Sequence, residues 1–203
     1  MRSTKSDILF KWLKRNWLPV SFGILLSYLI IVKLIAASKL GLVADEPDDL
    51  SSILTDLGSL PYFFNDAASP DQARLPLILA APILQLFGES ANMLLRLQSI
   101  IFQALYLVGF YLLLRINLSK VKSFYGVTLI ACASYLFSFS IFMITTSNSL
   151  YLMLSIWSVY FFLKYLKPKL NTNTIGNLTL LGILLGLTIG SKLLGIVLMA
   201  AIF

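Results

Sequence analysis

Long apolar runs constrain the fold of this chain more than any other feature, because about five of them reach or approach the length of a bilayer crossing. Lipid offers no partner to unpaired backbone groups, so such runs cross a membrane as helices. The chain is 58% hydrophobic and only 12% charged, which is too little charge to cover a water-exposed surface. The sequence therefore predicts an all-α integral membrane protein. Its predicted spans are Trp17–Ala37, Leu94–Leu114, Phe124–Ile144, Leu150–Leu166 and Leu178–Phe203.

Basic residues at the ends of these runs predict their orientation. One cluster precedes the first span, another separates the second and third spans, and another separates the fourth and fifth. If the spans alternate in direction, all these clusters lie on one side, which the positive-inside rule makes cytoplasmic. We therefore expect a multi-pass protein of the cell membrane (plasma or inner membrane) with a cytoplasmic N-terminus. The net charge of +7 then reflects topology, and nucleic-acid binding is not expected.

Residues 38–91 form the predicted outside loop, and every acidic residue except Asp7 lies in it. The leucines and isoleucine of 50–57 recur with helical spacing, which predicts a short amphipathic helix. The apolar segment Leu75–Phe87 is too short to span a membrane. We expect both segments to be interfacial helices of this loop. Residues 1–203 as a whole are predicted to form a single transmembrane module.

Charged residues near the predicted outer face are the candidates for chemistry. As a helix N-cap, Asp45 would stay ionised and could act as a base or bind a cation, or it could serve only as a cap. Lys192 lies roughly 21 Å into its run at about 1.5 Å per residue, where it either meets a carboxylate or a ligand phosphate, or snorkels. Arg74 either binds an anionic head group or anchors the helix that follows it. Lys33 and Arg96 are predicted to snorkel to the interface.

Several kinds of site are not expected from the residue types present. The chain has no histidine, and Cys132 is its one cysteine, so no disulfide can form within it. There is no phosphate-binding loop and no metal-ligand cluster, and only carboxylates could hold a metal. We predict neither a cofactor nor a metal.

Short motifs also occur in a distinctive order along the chain. They comprise an acidic pair after the first span, a Pro-Leu segment that leads to Phe-Gly, an Arg-Leu pair, a Thr-Thr pair, and a glycine-rich helix that ends in Ser-Lys. The motifs are Asp45-Glu46-Pro47, Arg74-Leu75-Pro76-Leu77 through Phe87-Gly88, Ala91 through Arg96-Leu97, Thr145-Thr146-Ser147, and Gly182 through Gly186-Leu187 to Ser191-Lys192.

This ordered set resembles the C-type membrane glycosyltransferases, which take a sugar from a polyprenyl-phosphate carrier and include protein O-mannosyltransferases and aminoarabinose transferases. The resemblance implies an N-terminal module of that fold and a transferase of the hexosyl or mannosyl type, with the carrier-linked donor and the lipid bilayer as its partners. It implies that Asp45 is the catalytic base that deprotonates the acceptor hydroxyl. Lys192 and Arg74 would steady the carrier phosphate, since cations can stabilise a phosphate leaving group without a general acid. The predicted substrate-binding residues are Glu46, Asp71, Arg74 and Lys192.

The chain departs from the family pattern at two motifs. Ser147 stands where the family usually has a second acid, and Arg74-Leu75-Pro76 replaces a basic residue followed by two prolines. We also expect the chain to be the N-terminal part of a longer transferase, inactive by itself. Two alternatives stay open: a transporter or lipid-handling subunit without chemistry, and a structural subunit or inert fragment that folds with a partner.

Overall fold

The computed structural model describes residues 5–39, 74–87, 91–132, 147–166 and 174–191, together with residue 197. Within these ranges the regular structure is helical throughout and contains no strand, which confirms the predicted all-α class. The helices are α1 (Lys5–Lys39), α2 (Arg74–Phe87), α3 (Ala91–Arg115), α4 (Lys120–Ala131), α5 (Ser147–Leu166) and α6 (Thr174–Ser191).

Helix α1 is kinked where its basic N-terminal part meets its apolar part. Asn16 has non-helical dihedral angles (φ −114°, ψ 20°), and Pro19 lies in the following turn. Proline has no N–H to donate, and its ring clashes with the carbonyl of the preceding turn, which accounts for the kink. The Asn16 side chain donates a hydrogen bond of 3.0 Å to the carbonyl of Trp12.

Two of the described helices are long and apolar enough to cross a membrane. The qualifying segments are Asn16–Ala36 of α1 and Met93–Arg115 of α3, close to the first two predicted spans. The apolar parts of α5 and α6 are shorter than this length, and α4 covers only the start of the third predicted span. The total of about five spans stays a prediction.

Of the two helices predicted in the outside loop, the structure describes one. Helix α2 coincides with the predicted segment Leu75–Phe87 to within one residue and contains Pro82. Its position at the membrane interface stays a prediction. The amphipathic segment predicted at 50–57 lies outside the described residues.

Helix α3 is the centre of the described bundle. It packs against α1, α2, α4 and α5, and α6 packs against α5 and α2. Gly109 allows the close approach of α5, because a Cβ there would lie 2.9 Å from Cγ2 of Ile156 and 3.0 Å from Nε1 of Trp157. The Trp157 indole N–H also donates a 3.2 Å hydrogen bond to the carbonyl of Leu105. This pairing holds α3 and α5 at a defined separation.

A tight turn joins α3 to α4 and directs α4 back along the bundle. The Ser119 side chain caps α4 by accepting from the backbone N–H of Lys122. The guanidinium of Arg115 donates a 2.7 Å hydrogen bond to the carbonyl of Leu118. Beyond this turn, α1, α3 and α4 meet in a small apolar core. Its buried members are Leu107, Val127 and Ala131.

Candidate functional site

Most of the predicted site residues lie outside the described residues. This applies to Asp45, Glu46, Asp71 and Lys192. Arg74 is the first residue of α2. The roles predicted for these five residues stay predictions, and the structure describes only the elements next to them in the sequence.

The start of α2 and the end of α6, which adjoin two of the predicted positions in the sequence, are in contact. A Cβ added to Gly190 of α6 would lie 3.8 Å from the Cβ of Leu75 in α2, so the two backbones are in close contact. Leu75 follows Arg74 directly, and Gly190 precedes Lys192 by two residues. The start of α2 at Arg74 and the end of α6, one residue before Lys192 in the sequence, are thus neighbours.

The end of α6 that leads to Lys192 is itself buried and regular. Thr188 and Ser191 are both fully buried, and each satisfies its hydroxyl within its own helix. Thr188 donates a 2.6 Å hydrogen bond to the carbonyl of Leu184, and Ser191 donates one of 2.8 Å to the carbonyl of Thr188. Both hydroxyl donors are therefore satisfied within α6 itself, and neither needs a partner from α2.

A buried polar seam runs along one face of α3. Arg96, Ser99 and Gln103 follow i, i+3, i+7 spacing, which places them on the same side of a helix. They are only 3%, 4% and 7% exposed. Lys33 of α1 joins the seam, since it is 4% exposed and its ammonium group donates a hydrogen bond to the Gln103 side-chain oxygen. The described part of the bundle interior therefore contains two basic side chains.

The prediction that Lys33 and Arg96 snorkel to the interface is wrong. Both side chains are buried in the protein, and the Lys33 ammonium points to Gln103 at the midpoint of α3. The reason is that α1 and α3 are in contact, so an amide acceptor is available inside the bundle. A lysine with an internal acceptor has no need to reach the head groups.

The Lys33–Gln103 pair lies in a narrow cleft between α1, α3 and α4 whose cavity volume is only about 10 Å³. Apart from these two side chains, its lining is apolar. The remaining lining residues are Leu26, Leu29, Ile30, Ile100, Ala104, Leu107 and Ala131. A polar pair in such surroundings is shielded from competing water.

A second and larger groove lies between α2 and α3, with a volume of about 370 Å³. Its lining is apolar except for Gln98. The α3 residues in this lining share a face roughly opposite the polar seam, as their helical spacing requires. The lining residues are Ile83, Phe87, Leu94, Leu97, Gln98 and Ile101. Helix α3 therefore has a row of buried polar side chains on one face and an apolar groove on the other.

Sequence reasoning did not identify Ser99, Gln103 or the inward orientation of Lys33 as features of a site. The available signal was the helical spacing of Arg96, Ser99 and Gln103 within an otherwise apolar span. Spacing places residues on one face, but it does not say which neighbouring helix that face meets.

The described helices define an α-helical membrane protein with cationic side chains buried in its interior. Its family is more specific: the chain belongs to the dolichyl-phosphate-mannose-protein mannosyltransferase family, whose model matches residues 71–203. This confirms the resemblance to C-type glycosyltransferases seen in the sequence motifs. No curated protein and no solved structure matches the chain. The matched range contains Arg74 and Lys192, whereas Asp45 and Glu46 precede it.

Proposed function

We propose that this protein transfers a hexose-type sugar, such as mannose, from a polyprenyl-phosphate carrier to an acceptor hydroxyl on the non-cytoplasmic face of the membrane. Family membership supports a glycosyltransferase and a lipid-linked donor. The observation that carries the proposal is the contact between α2 and α6 at Leu75 and Gly190, beside the chain positions of Arg74 and Lys192. Two cations at neighbouring helix ends are suited to a phosphate.

In the proposed reaction the acceptor oxygen attacks the anomeric carbon of the sugar. Asp45 takes the proton of the acceptor hydroxyl, and the bond between the anomeric carbon and the phosphate oxygen breaks. The carrier phosphate leaves with that electron pair, and Arg74 and Lys192 stabilise its charge. Glu46 and Asp71 bind hydroxyl groups of the substrates. Protons and charge balance without a cofactor.

The proposed sidedness follows from the distribution of charge. The acidic residues of 38–91 lie between the first and second predicted spans, whereas the basic clusters lie at the other ends of the spans. Under the positive-inside rule this loop faces away from the cytosol. We accordingly propose a multi-pass protein of about five spans in the cell membrane, with α2 at the outer interface and residues 1–203 as one transmembrane module.

Transfer by the full-length transferase in lipid nanodiscs tests the proposal directly. The donor is a polyprenyl phosphate that carries radiolabelled mannose, and the acceptors are serine- and threonine-containing peptides and a lipid extract. We expect Asp45→Asn to lower the transfer rate by about 100-fold or more, the usual contribution of a general base. Asp66→Asn, an acid-to-amide change in the same loop, is the matched control and should retain the wild-type rate. Undiminished transfer by Asp45→Asn would remove Asp45 from the mechanism.

The cations are tested separately by their effect on the donor. Lys192→Gln and Arg74→Gln should each weaken use of the carrier-linked donor, because each removes a charge that stabilises the phosphate. Lys39→Gln, at an exposed position at the end of α1, is the control. Carrier binding by the wild-type chain without any sugar product would instead favour the lipid-handling alternative, as Ser147 in place of an acid predicts.

A further inference from the structure

We propose that Lys33 is a positioning residue of the transferase. Its hydrogen bond to Gln103 holds the outer half of α1 against α3 and so fixes the point from which the chain continues to Asp45. This inference rests on the proposed function for its catalytic consequence. The contact and the helices it joins belong to the structure irrespective of that function.

The contact is too costly to be explained by stability. A lysine within a membrane-spanning segment is strongly disfavoured, and an interhelical hydrogen bond returns only part of that cost. Lys33 lies within the apolar segment Asn16–Ala36, and its partner lies at the midpoint of the α3 span. An apolar side chain at position 33 would be less costly. The presence of lysine there points to a requirement for a directional contact.

The face of α1 that meets the bundle shows what the contact adds. Near its inner end, α1 is fixed by aromatic contacts: Trp17 meets Phe124 edge-on, and Phe22 stacks on Tyr111 at 5.1 Å. Further along, Leu26 and Leu29 pack on the apolar core. Lys33 continues the same face one turn beyond Leu29. It makes the outermost polar contact of α1 with another helix among the described residues.

The remaining faces of this part of α1 give it little further support. Several large apolar side chains on them are more than half exposed within the described bundle, namely Ile24, Tyr28, Ile31 and Ile35. Side-chain packing of this kind does not resist sliding or rotation of a helix strongly. A hydrogen bond between Lys33 and Gln103 forms only while the two side chains stay within reach, so it restricts the rotation and the sliding of α1.

The length of α1 turns a small tilt into a large displacement. From Trp17 to Lys39 the helix is about 33 Å long at 1.5 Å per residue, so a tilt of about 10° moves its outer end by roughly 6 Å. Asp45 follows Lys39 by six residues. Misplacing a catalytic group by about 1 Å can lower a rate by roughly 100-fold. A contact that limits the tilt of α1 therefore limits how far the start of the segment leading to Asp45 can move.

A double-mutant comparison distinguishes positioning from direct substrate binding. Lys33→Met and Gln103→Leu each remove the contact, and each should lower kcat by about 10- to 100-fold with KM for the carrier-linked donor unchanged within about twofold. The double variant should be no worse than either single variant, because both act through one contact. Lys33→Arg retains a donor and should restore much of the rate. Lys39→Met is the matched control on the same helix.

Two results of this comparison would overturn the positioning role. If Lys33→Met raised KM for the donor and Gln103→Leu changed nothing, Lys33 would bind an anionic group directly. If the effects of the two single variants multiplied in the double variant, the two residues would act separately.

Spin-label distances measure the position of α1 without any need for activity. Labels at Lys39→Cys and Leu118→Cys, two exposed positions at the ends of α1 and α3, are introduced in a Cys132→Ser background. The distance distribution should be narrow with Lys33 or Lys33→Arg and broader or shifted with Lys33→Met. An unchanged distribution would refute the positioning role even if transfer were lost. If the wild-type protein transferred no sugar but the distribution still shifted in Lys33→Met, the proposed function would be refuted and the positioning of α1 would stand.

Discussion

Gly109 is the position where a single added methyl group most directly tests the packing of α3 against α5. A Cβ there would lie 2.9 Å from Cγ2 of Ile156 and 3.0 Å from the indole nitrogen of Trp157. Neither neighbour can yield easily, because Cγ2 is attached to the branched Cβ of Ile156 and the indole is bulky and hydrogen-bonded to Leu105. Gly109→Ala should therefore push α5 away from α3.

The loss of stability in Gly109→Ala has two sources, overpacking and a lost hydrogen bond. Overpacking by one methyl group costs about 1–3 kcal/mol, and loss of the Trp157 hydrogen bond costs about 1 kcal/mol. Alanine also favours the helix by about 1 kcal/mol over glycine. Gly182→Ala is a matched control, because it gains the same propensity and a Cβ there meets nothing within 4 Å. The two variants should differ by about 2–4 kcal/mol in free energy of unfolding.

Gly126→Ala tests whether the identity of the neighbour matters as well as the distance. A Cβ at Gly126 would lie 2.7 Å from Cδ1 of Leu114, closer than any contact at Gly109. That atom is the far end of a flexible side chain, which can change rotamer. We therefore expect Gly126→Ala to cost less than about 1 kcal/mol relative to Gly182→Ala.

Unfolding in mixed micelles by titration with sodium dodecyl sulfate measures these differences. Trp157 reports on the α3–α5 contact once Trp12 and Trp17, which are more than 40% exposed, are replaced by phenylalanine. Gly109→Ala should unfold at a lower detergent fraction than either glycine control. Equal stability of Gly109→Ala and Gly182→Ala would refute the close packing of these helices.

Further predictions concern the contact between α2 and α6, the cap of α4 and the aromatic stack of α1. Gly190→Leu should separate α6 from Leu75 of α2 and raise KM for the carrier-linked donor several-fold, measured by transfer kinetics. Ser119→Ala removes the cap of α4 and should cost about 1 kcal/mol, measured by detergent-induced unfolding. Phe22→Ala removes the stack on Tyr111 and should cost about 0.5–1.5 kcal/mol if α1 unfolds with the bundle in that titration.

Hydrophobic periodicity predicted the helices well where an apolar run is bounded by residues that start or end helices, such as glycine. Helix α2 ends at Phe87 as expected, because Gly88 follows it. Helix α1 begins at Lys5, well before the predicted start at Trp17, because a basic amphipathic stretch does not register as an apolar span. Sequence alone thus locates the apolar part of a helix better than its polar extension.

The candidate site was less accessible to sequence reasoning. The contact between Lys33 and Gln103 joins residues 70 positions apart, and no local pattern specifies it. The α2–α6 contact depends in the same way on how separate helices pack. The catalytic role of Asp45 was inferred from its place in the order of motifs and stays a prediction.

Helix α3 connects these observations, because it separates two environments that a lipid-linked substrate requires. Its buried face presents Arg96, Ser99 and Gln103, and its opposite face lines the apolar groove beneath α2. A polyprenyl phosphate has a charged head and a long hydrocarbon tail, so its enzyme must offer cations and lipid access within a short distance. A helix that is polar on one face and apolar on the other satisfies both needs with one element. Its contacts to α1 and α2 fix these two helices relative to that boundary.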